Sequence, residues 1–262
     1  MSGDQLKGRR AVVTGAASGF GAGVTAALAE RGVECVATDV DLDRLTQVVD
    51  GCPAGMVTPV RLDVGDARQW SALIDEHGPF DIAILNAGVA TNHIRPEGSL
   101  PLLGLDGERY RTVMGANVDG VVFGMQAVLP HMVETGIGDI LVTASVAGLI
   151  PIAPDPVYGL TKHAVVGLVR SMAAAIDGHH EPLDVHVSAI CPGFADTAIL
   201  SDTAKETITS LGLELLTVDR VVGTMLRALD ERRNGAQWVV WPGQEDQCYE
   251  WSPLVELPFG DK

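Results

Sequence analysis

The apolar run Ala11-Val12-Val13 leads directly into Thr14-Gly15-Ala16-Ala17-Ser18-Gly19-Phe20-Gly21, and an amphipathic stretch over residues 20–31 comes next. No other feature constrains the chain as much, because it commits the chain to a buried first strand that turns sharply into a helix. Glycines at 15, 19 and 21 permit a tight turn and close approach of the backbone to a pyrophosphate, whose charge is stabilised at the amino end of the helix. A plain strand-to-helix connection can look the same, so the reading depends on the residues downstream.

A second apolar strand, Val33-Glu34-Cys35-Val36-Ala37-Thr38, ends in Asp39 and Val40. A carboxylate at that strand end can accept both ribose hydroxyls of NAD and repel the 2′-phosphate of NADP. At an effective dielectric of about 20, a unit charge pair at contact is worth up to roughly 4 kcal/mol. Asp39 can equally serve as the cap of a helix that begins near Asp41. The nearest positive charge, Arg44, lies one helical turn further on.

Tyr158-Gly159-Leu160-Thr161-Lys162 sets a phenol and an ammonium four residues apart, with Ser145 thirteen residues before the phenol. On a helix over 156–177 the two groups share one face, an arrangement suited to proton transfer. Asp63-Val64, Asn86-Ala87-Gly88, Asn117 and Pro192-Gly193 fall in order around them. Taken together, in order and spacing, these motifs resemble the short-chain dehydrogenase/reductase family over about residues 7–241.

The resemblance implies an NAD-dependent oxidoreductase acting on CH-OH groups, with Tyr158 as general acid/base. A phenol near neutrality needs a shift of about 3 units, or roughly 4 kcal/mol. Lys162 is expected to stabilise the phenolate and to hydrogen-bond the nicotinamide ribose. Ser145 is expected to hold the substrate oxygen, and Asn117 a water that links Lys162 to solvent. Cofactor contacts are expected at Gly15, Ser18, Gly19, Phe20, Gly21, Asp39, Val40, Asp63, Val64, Asn86, Ala87, Gly88, Tyr158, Lys162, Pro192, Gly193, Phe194 and Thr197. Ser18 stands where NADP-using members often carry a basic residue, which points to NAD. The helices at 107–134 and 156–177 resemble the family's dimer interface, so a homodimer or homotetramer is expected.

Apolar runs near 10–14, 33–38, 57–61, 81–85, 139–144, 184–190 and 236–241 alternate with helical stretches near 20–31, 41–49, 66–77, 107–134, 156–177 and 218–230. Right-handed crossovers then give a parallel sheet with helices on both faces, and the resemblance implies an α/β Rossmann fold, a doubly wound sheet of seven strands in the order 3-2-1-4-5-6 with the seventh at the edge. All 262 residues, 47% of them hydrophobic, are expected to form one domain. The start, Met1 to Lys7, has no apolar signal core, and no run reaches eighteen apolar residues, so a cytoplasmic location is expected. Cys35, Cys52, Cys191 and Cys248 show no C-x-x-C spacing and read as reduced thiols, and the scattered histidines, His179-His180 included, suggest no metal site. A net charge of −16 argues against nucleic acid or an anionic membrane as partner and leaves a small molecule. Of four lysines, only Lys162 lies in an expected core-facing helix, while Lys205 falls in an expected loop.

Substrate choice is expected to reside in loops near 89–106 and 194–217. Leu100, Leu102, Leu103 and Leu105, with Phe194, Ile199, Leu200, Leu211, Leu213, Leu215 and Leu216, either line an apolar pocket or anchor the loops. A pocket of this kind favours an apolar secondary alcohol or ketone, including cyclic or steroid-like ones, over a polyol. Two other readings stay open: a 3-oxoacyl reductase using NADPH, and a catalytically idle NAD(H)-binding sensor on the same fold. The tail 242–262, with Trp251, Leu254, Val255, Leu257 and Phe259, needs cover from its own substrate loop or from a neighbouring subunit.

Overall fold

In the computed structural model, which describes residues 5–91 and 98–252, the alternating runs become one sheet with helices on both faces. Strands β1 (Arg10–Thr14), β2 (Glu34–Asp39), β3 (Val57–Arg61), β4 (Ile82–Leu85), β5 (Ile137–Thr143), β6 (Asp184–Pro192) and β7 (Gln237–Val240) pair in parallel. The order is the expected one, with a correction in number: an eighth strand, β8 (Gln247–Cys248), lies antiparallel on β7. After Trp241-Pro242 the chain reverses at Gly243, whose φ of +71° suits a residue without a Cβ, and covers the edge that β7 would otherwise expose. Leu254, Val255, Leu257 and Phe259 lie outside the described residues.

The central strands are buried on both faces, which is why they read as unbroken apolar runs rather than alternating ones. On one face α1 (Gly19–Glu30) and α8 (Val218–Glu231) pack over Trp238, Met225 and Leu28. On the other, α3 (Ala67–His77), α5 (Gly120–Thr135) and α6 (Pro156–Asp177) enclose Trp70, Phe80 and Met132. Most helices start on a side-chain cap. Asp41 caps α2 (Leu42–Val49), Asp66 caps α3, Asp106 caps α4 (Gly107–Met114), Asp155 caps α6, Ser201 caps α7 (Asp202–Ser210) and Thr217 caps α8. Each satisfies an otherwise orphaned N–H, worth about 1 kcal/mol.

Two further corrections concern helices. The stretch expected as one helix over 107–134 is interrupted by a π-helical turn, Gly115–Asp119, which carries Asn117. Gly120, immediately after that turn, is pressed on Val64 so closely that a Cβ would lie 2.6 Å from its Cγ2. The segment 194–217, expected as a loop, contains α7, so Lys205 is helical and pairs with Asp196 at 2.6 Å. Among the described residues, one helix, Gly107–Thr135, is long and apolar enough to cross a membrane. It lies on the sheet, with Val121, Met125, Val128 and Met132 buried.

The amino ends of the strands are tied by charge. Asp139 in β5, only 3% exposed, accepts from Arg9 at 2.6 Å and from Arg232 at 2.9 Å. Arg232 ends α8 in a left-handed conformation, φ 48°, which an arginine adopts at some cost and which lets it also reach Asp184.

Candidate active site

The opposite, carboxyl ends of the strands open on a cavity of about 1480 Å³, where an open α/β sheet binds its ligands. Gly15, Ser18, Gly19, Phe20, Asp39, Val40, Asp63, Val64, Asn86, Ala87, Gly88, Ser145, Tyr158, Lys162, Pro192, Gly193, Phe194 and Thr197 all line it. Two of the expected residues, Gly21 and Asn117, are not among the lining residues.

The half of the cavity beside the glycine-rich turn is built from close backbone contacts. Gly15 and Gly19 have positive φ, and a Cβ on Gly15 would lie 2.8 Å from the Ala87 Cα. Gly21 is needed for packing: its Cβ would stand 2.1 Å from the Gly15 carbonyl oxygen. Asn86 ties three strand ends together. Its Nδ2 donates to the Thr14 carbonyl at 3.0 Å, its Oδ1 accepts from Thr143 Oγ1 at 3.0 Å, and its N–H donates to Thr14 Oγ1 at 2.9 Å. The Asp39 carboxylate accepts the Ala17 N–H at 3.0 Å and the Asp41 N–H at 3.1 Å. Asp41, and not Asp39, caps α2 through the Arg44 N–H, so the alternative reading of Asp39 as that cap is removed. With about four lone-pair sites, an ionised carboxylate holding two donors keeps room for ribose hydroxyls.

At the other half, Ser145 stands just past β5, while Tyr158 and Lys162 lie on the first turns of α6. Lys162 is buried, donates from Nζ to the Thr143 carbonyl at 2.8 Å and sits 5.5 Å from the centre of the Tyr158 ring. Gly88 makes this possible, since a Cβ there would be 3.2 Å from Asn117 Oδ1 and 3.6 Å from Lys162 Nζ. Burial pushes the Tyr158 phenol up to about 12, opposed by its hydrogen bond with Ser145 and assisted by Asp155 and Cys191. Burial also lowers the Lys162 ammonium to about 8, and Cys191, buried at the end of β6, is raised to about 12 for the same reason. The site therefore groups a phenol, a hydroxyl and a cation, a set in which the phenol can pass a proton to a bound oxygen and, once ionised, take one from it.

The Asn117 side chain brackets Val89 with two hydrogen bonds, of 2.8 and 2.9 Å, and donates to Thr161 Oγ1 at 3.0 Å. Among the expected apolar lining residues, Leu105, Phe194, Ile199, Leu200, Leu211 and Leu213 do face the cavity. Leu100, Leu102 and Leu103 do not; they are 60–71% exposed. Leu215 is also absent from the wall, and Leu216 is a core residue whose N–H bonds the Phe194 carbonyl. Unforeseen lining residues come from Pro151 to Val157 and from Ala204, Thr207 and Ile208 on α7. The Ser201 cap before Asp202-Thr203-Ala204 was the signal for that helix.

The family model for short chain dehydrogenases matches residues 9–208. The chain is 36% identical over 202 residues to the 2-keto-3-deoxy-L-fuconate dehydrogenase of Xanthomonas campestris, covering 77% of this chain and 63% of that protein. It thus spans just under two thirds of that relative's length. It is 34% identical over 205 residues to the cis-4-hydroxycyclohexanecarboxylate dehydrogenase of Sinomonas cyclohexanicum, covering 76% and 78% of the two chains. A short chain dehydrogenase/reductase from Burkholderia phymatum, solved in complex with NAD, matches with a TM-score of 0.76 at 27% identity over 89% of both chains.

Proposed function

The chain belongs to the short chain dehydrogenase family, and we propose that it is an NAD-dependent oxidoreductase that interconverts a secondary alcohol and a ketone. The observation that carries this reading is the meeting of Ser145, Tyr158 and Lys162 in the cavity whose other wall holds Asp39 and the glycine-rich turn. Gly15, Ser18, Gly19 and Phe20 would hold the pyrophosphate at the start of α1, and Asp39 the adenosine ribose. A bound nicotinamide supplies the hydride acceptor or donor.

In the oxidising direction Ser145 donates a hydrogen bond to the substrate oxygen and orients it, and Tyr158, ionised to the phenolate, removes the hydroxyl proton. Lys162, lowered to about 8, keeps its charge at neutral pH. With its Nζ 5.5 Å from the ring centre, its positive charge favours the phenolate over the phenol. That offsets part of the burial effect on Tyr158. In this reading Thr161, through Asn117, holds the first turn of α6 in place.

NAD preference rests on Asp39, whose charge opposes a 2′-phosphate. The mainly apolar substrate wall supports an apolar alcohol or ketone, cyclic ones included. The name of the Sinomonas relative supports a cyclic substrate. A 3-oxoacyl reductase using NADPH fits Asp39 poorly, and an idle sensor has no need of the proton-transfer set. The enzyme would act as one catalytic domain, as a homodimer or homotetramer, in the cytoplasm. Titration with NAD+, NADH, NADP+ and NADPH, and then a panel of secondary alcohols, tests the proposal. Selective NAD(H) binding with turnover is expected; binding without turnover on any alcohol would favour the sensor, and NADP preference would overturn the use of Asp39.

A further inference from the structure

The loop after β4 and the first turn of α6 are joined in a closed ring of hydrogen bonds. On one side the Asp155 carboxylate accepts three donors: the Tyr158 N–H at 3.0 Å, the Thr91 hydroxyl at 2.5 Å and the Thr91 N–H at 2.9 Å. On the other, the Tyr158 carbonyl accepts the Thr161 hydroxyl at 2.8 Å, Thr161 accepts from Asn117, and Asn117 brackets Val89. Both backbone polar groups of Tyr158 are therefore tied to the same three-residue loop, Val89–Thr91, from opposite sides. Arg109 of α4 donates to the Thr91 carbonyl at 2.7 Å and to the Ala90 carbonyl, which fixes the loop from its far side.

Capping alone does not explain Asp155. A cap needs one acceptor, which serine supplies as well, and a carboxylate beside the phenol hinders its ionisation. What a neutral serine does not supply is the second oxygen, which reaches Thr91, itself 4% exposed. The loop Val89–Thr91 opens the segment 89–106, part of which lines the substrate half of the cavity.

We infer that Asp155 and Thr91 are positioning residues that lock the placement of Tyr158 to that of the substrate-facing loop, so that neither moves without the other. The inference rests on the proposed role of Tyr158 for its catalytic consequence, while the mechanical link stands apart from it. Charged and titratable groups facing the phenol are Lys162 on its own helix, Asp155 at the helix start and Cys191 on β6, with the Ser145 hydroxyl past β5.

The test compares wild type with Thr91→Val, Thr91→Ser and Asp155→Asn by amide hydrogen exchange, NADH binding, and turnover of cyclohexanol with NAD+. Thr91→Val is expected to speed exchange in peptides covering 86–91 and, remotely, 156–162. It should lower kcat by about 10- to 100-fold, the scale of a small misplacement of a reacting group, with NADH affinity within about twofold of wild type. Thr91→Ser should restore both exchange and kcat. Asp155→Asn should lower kcat similarly and move its pH profile to lower pH. Exchange changes confined to 86–91, with kcat unaltered, would overturn the inference. If the wild type leaves cyclohexanol untouched, that bears on the proposed substrate class, and the remote exchange at 156–162 alone decides the positioning link.

Discussion

Removing the charge at Asp39 separates two effects of one carboxylate. One oxygen accepts the Ala17 N–H inside the glycine-rich turn and the other the Asp41 N–H, which leaves about two acceptor sites for a ribose. For NADH, Asp39→Asn weakens hydrogen bonds to a charged acceptor, worth about 1.5–3 kcal/mol each, so affinity should fall by about 10- to 100-fold. For NADPH it removes a repulsion that reaches about 4 kcal/mol for unit charges 4 Å apart at an effective dielectric of about 20. Asp39 is half-buried, so solvent and salt reduce that figure. The ratio of NADH to NADPH affinity should still fall by about 100-fold or more. Fluorescence titrations of wild type, Asp39→Asn and Asp39→Ala at one fixed ionic strength measure it. A wild type that binds the two cofactors equally, or a ratio that the substitutions leave unchanged, would refute the reasoning. Asp39→Ala should in addition lower the melting midpoint, because the turn at Ala17 loses its acceptor.

Four other substitutions probe the frame. Asp139→Ala leaves Arg9 and Arg232 without their buried partner and should cost about 3 kcal/mol in urea unfolding, with cofactor affinity unchanged. Lys162→Met should abolish turnover yet stabilise the free protein at neutral pH. The Lys162 folded-state value of about 8 lies below an unfolded value near 10.5, so its burial costs stability most fully below about pH 8, and the cost fades as pH rises towards 10.5. The gain from Lys162→Met should therefore reach about 3 kcal/mol near pH 7 and shrink across that window, as melting curves at several pH values would show. Gly21→Ala, whose methyl group would meet the Gly15 carbonyl, should eliminate NADH binding, whereas Gly223→Ala in α8, with open space around it, should stabilise by about 0.5–1 kcal/mol.

Residues whose chemistry demands a particular type were legible in the chain. Glycine at 15 and 19, Asn86, Ser145, Tyr158 and Lys162 all line one cavity, and the parallel α/β sheet followed from the alternation of buried runs and helices, its strand order from the family resemblance. The features that were not legible depend on tertiary approach or on very short elements. The pairing of Gln247 and Cys248 involves two residues, too few for a periodic pattern. The π-helical turn at Gly115–Asp119 is a shift of backbone register with no side-chain period of its own. Leu100, Leu102 and Leu103 looked like pocket residues by type, but composition does not tell which way a loop faces. The Thr91–Asp155 contact joins positions 64 apart, and only the fold brings them together.

The most direct test of the account is the rate of NAD+ reduction, read by reduced-nicotinamide absorbance, for wild type and Tyr158→Phe on a secondary alcohol that the wild type oxidises. Loss of turnover by at least about 100-fold, with NADH affinity retained, is the expected result. A Tyr158→Phe variant that oxidises the alcohol at the wild-type rate would contradict the assignment of the proton to Tyr158, and with it the central claim.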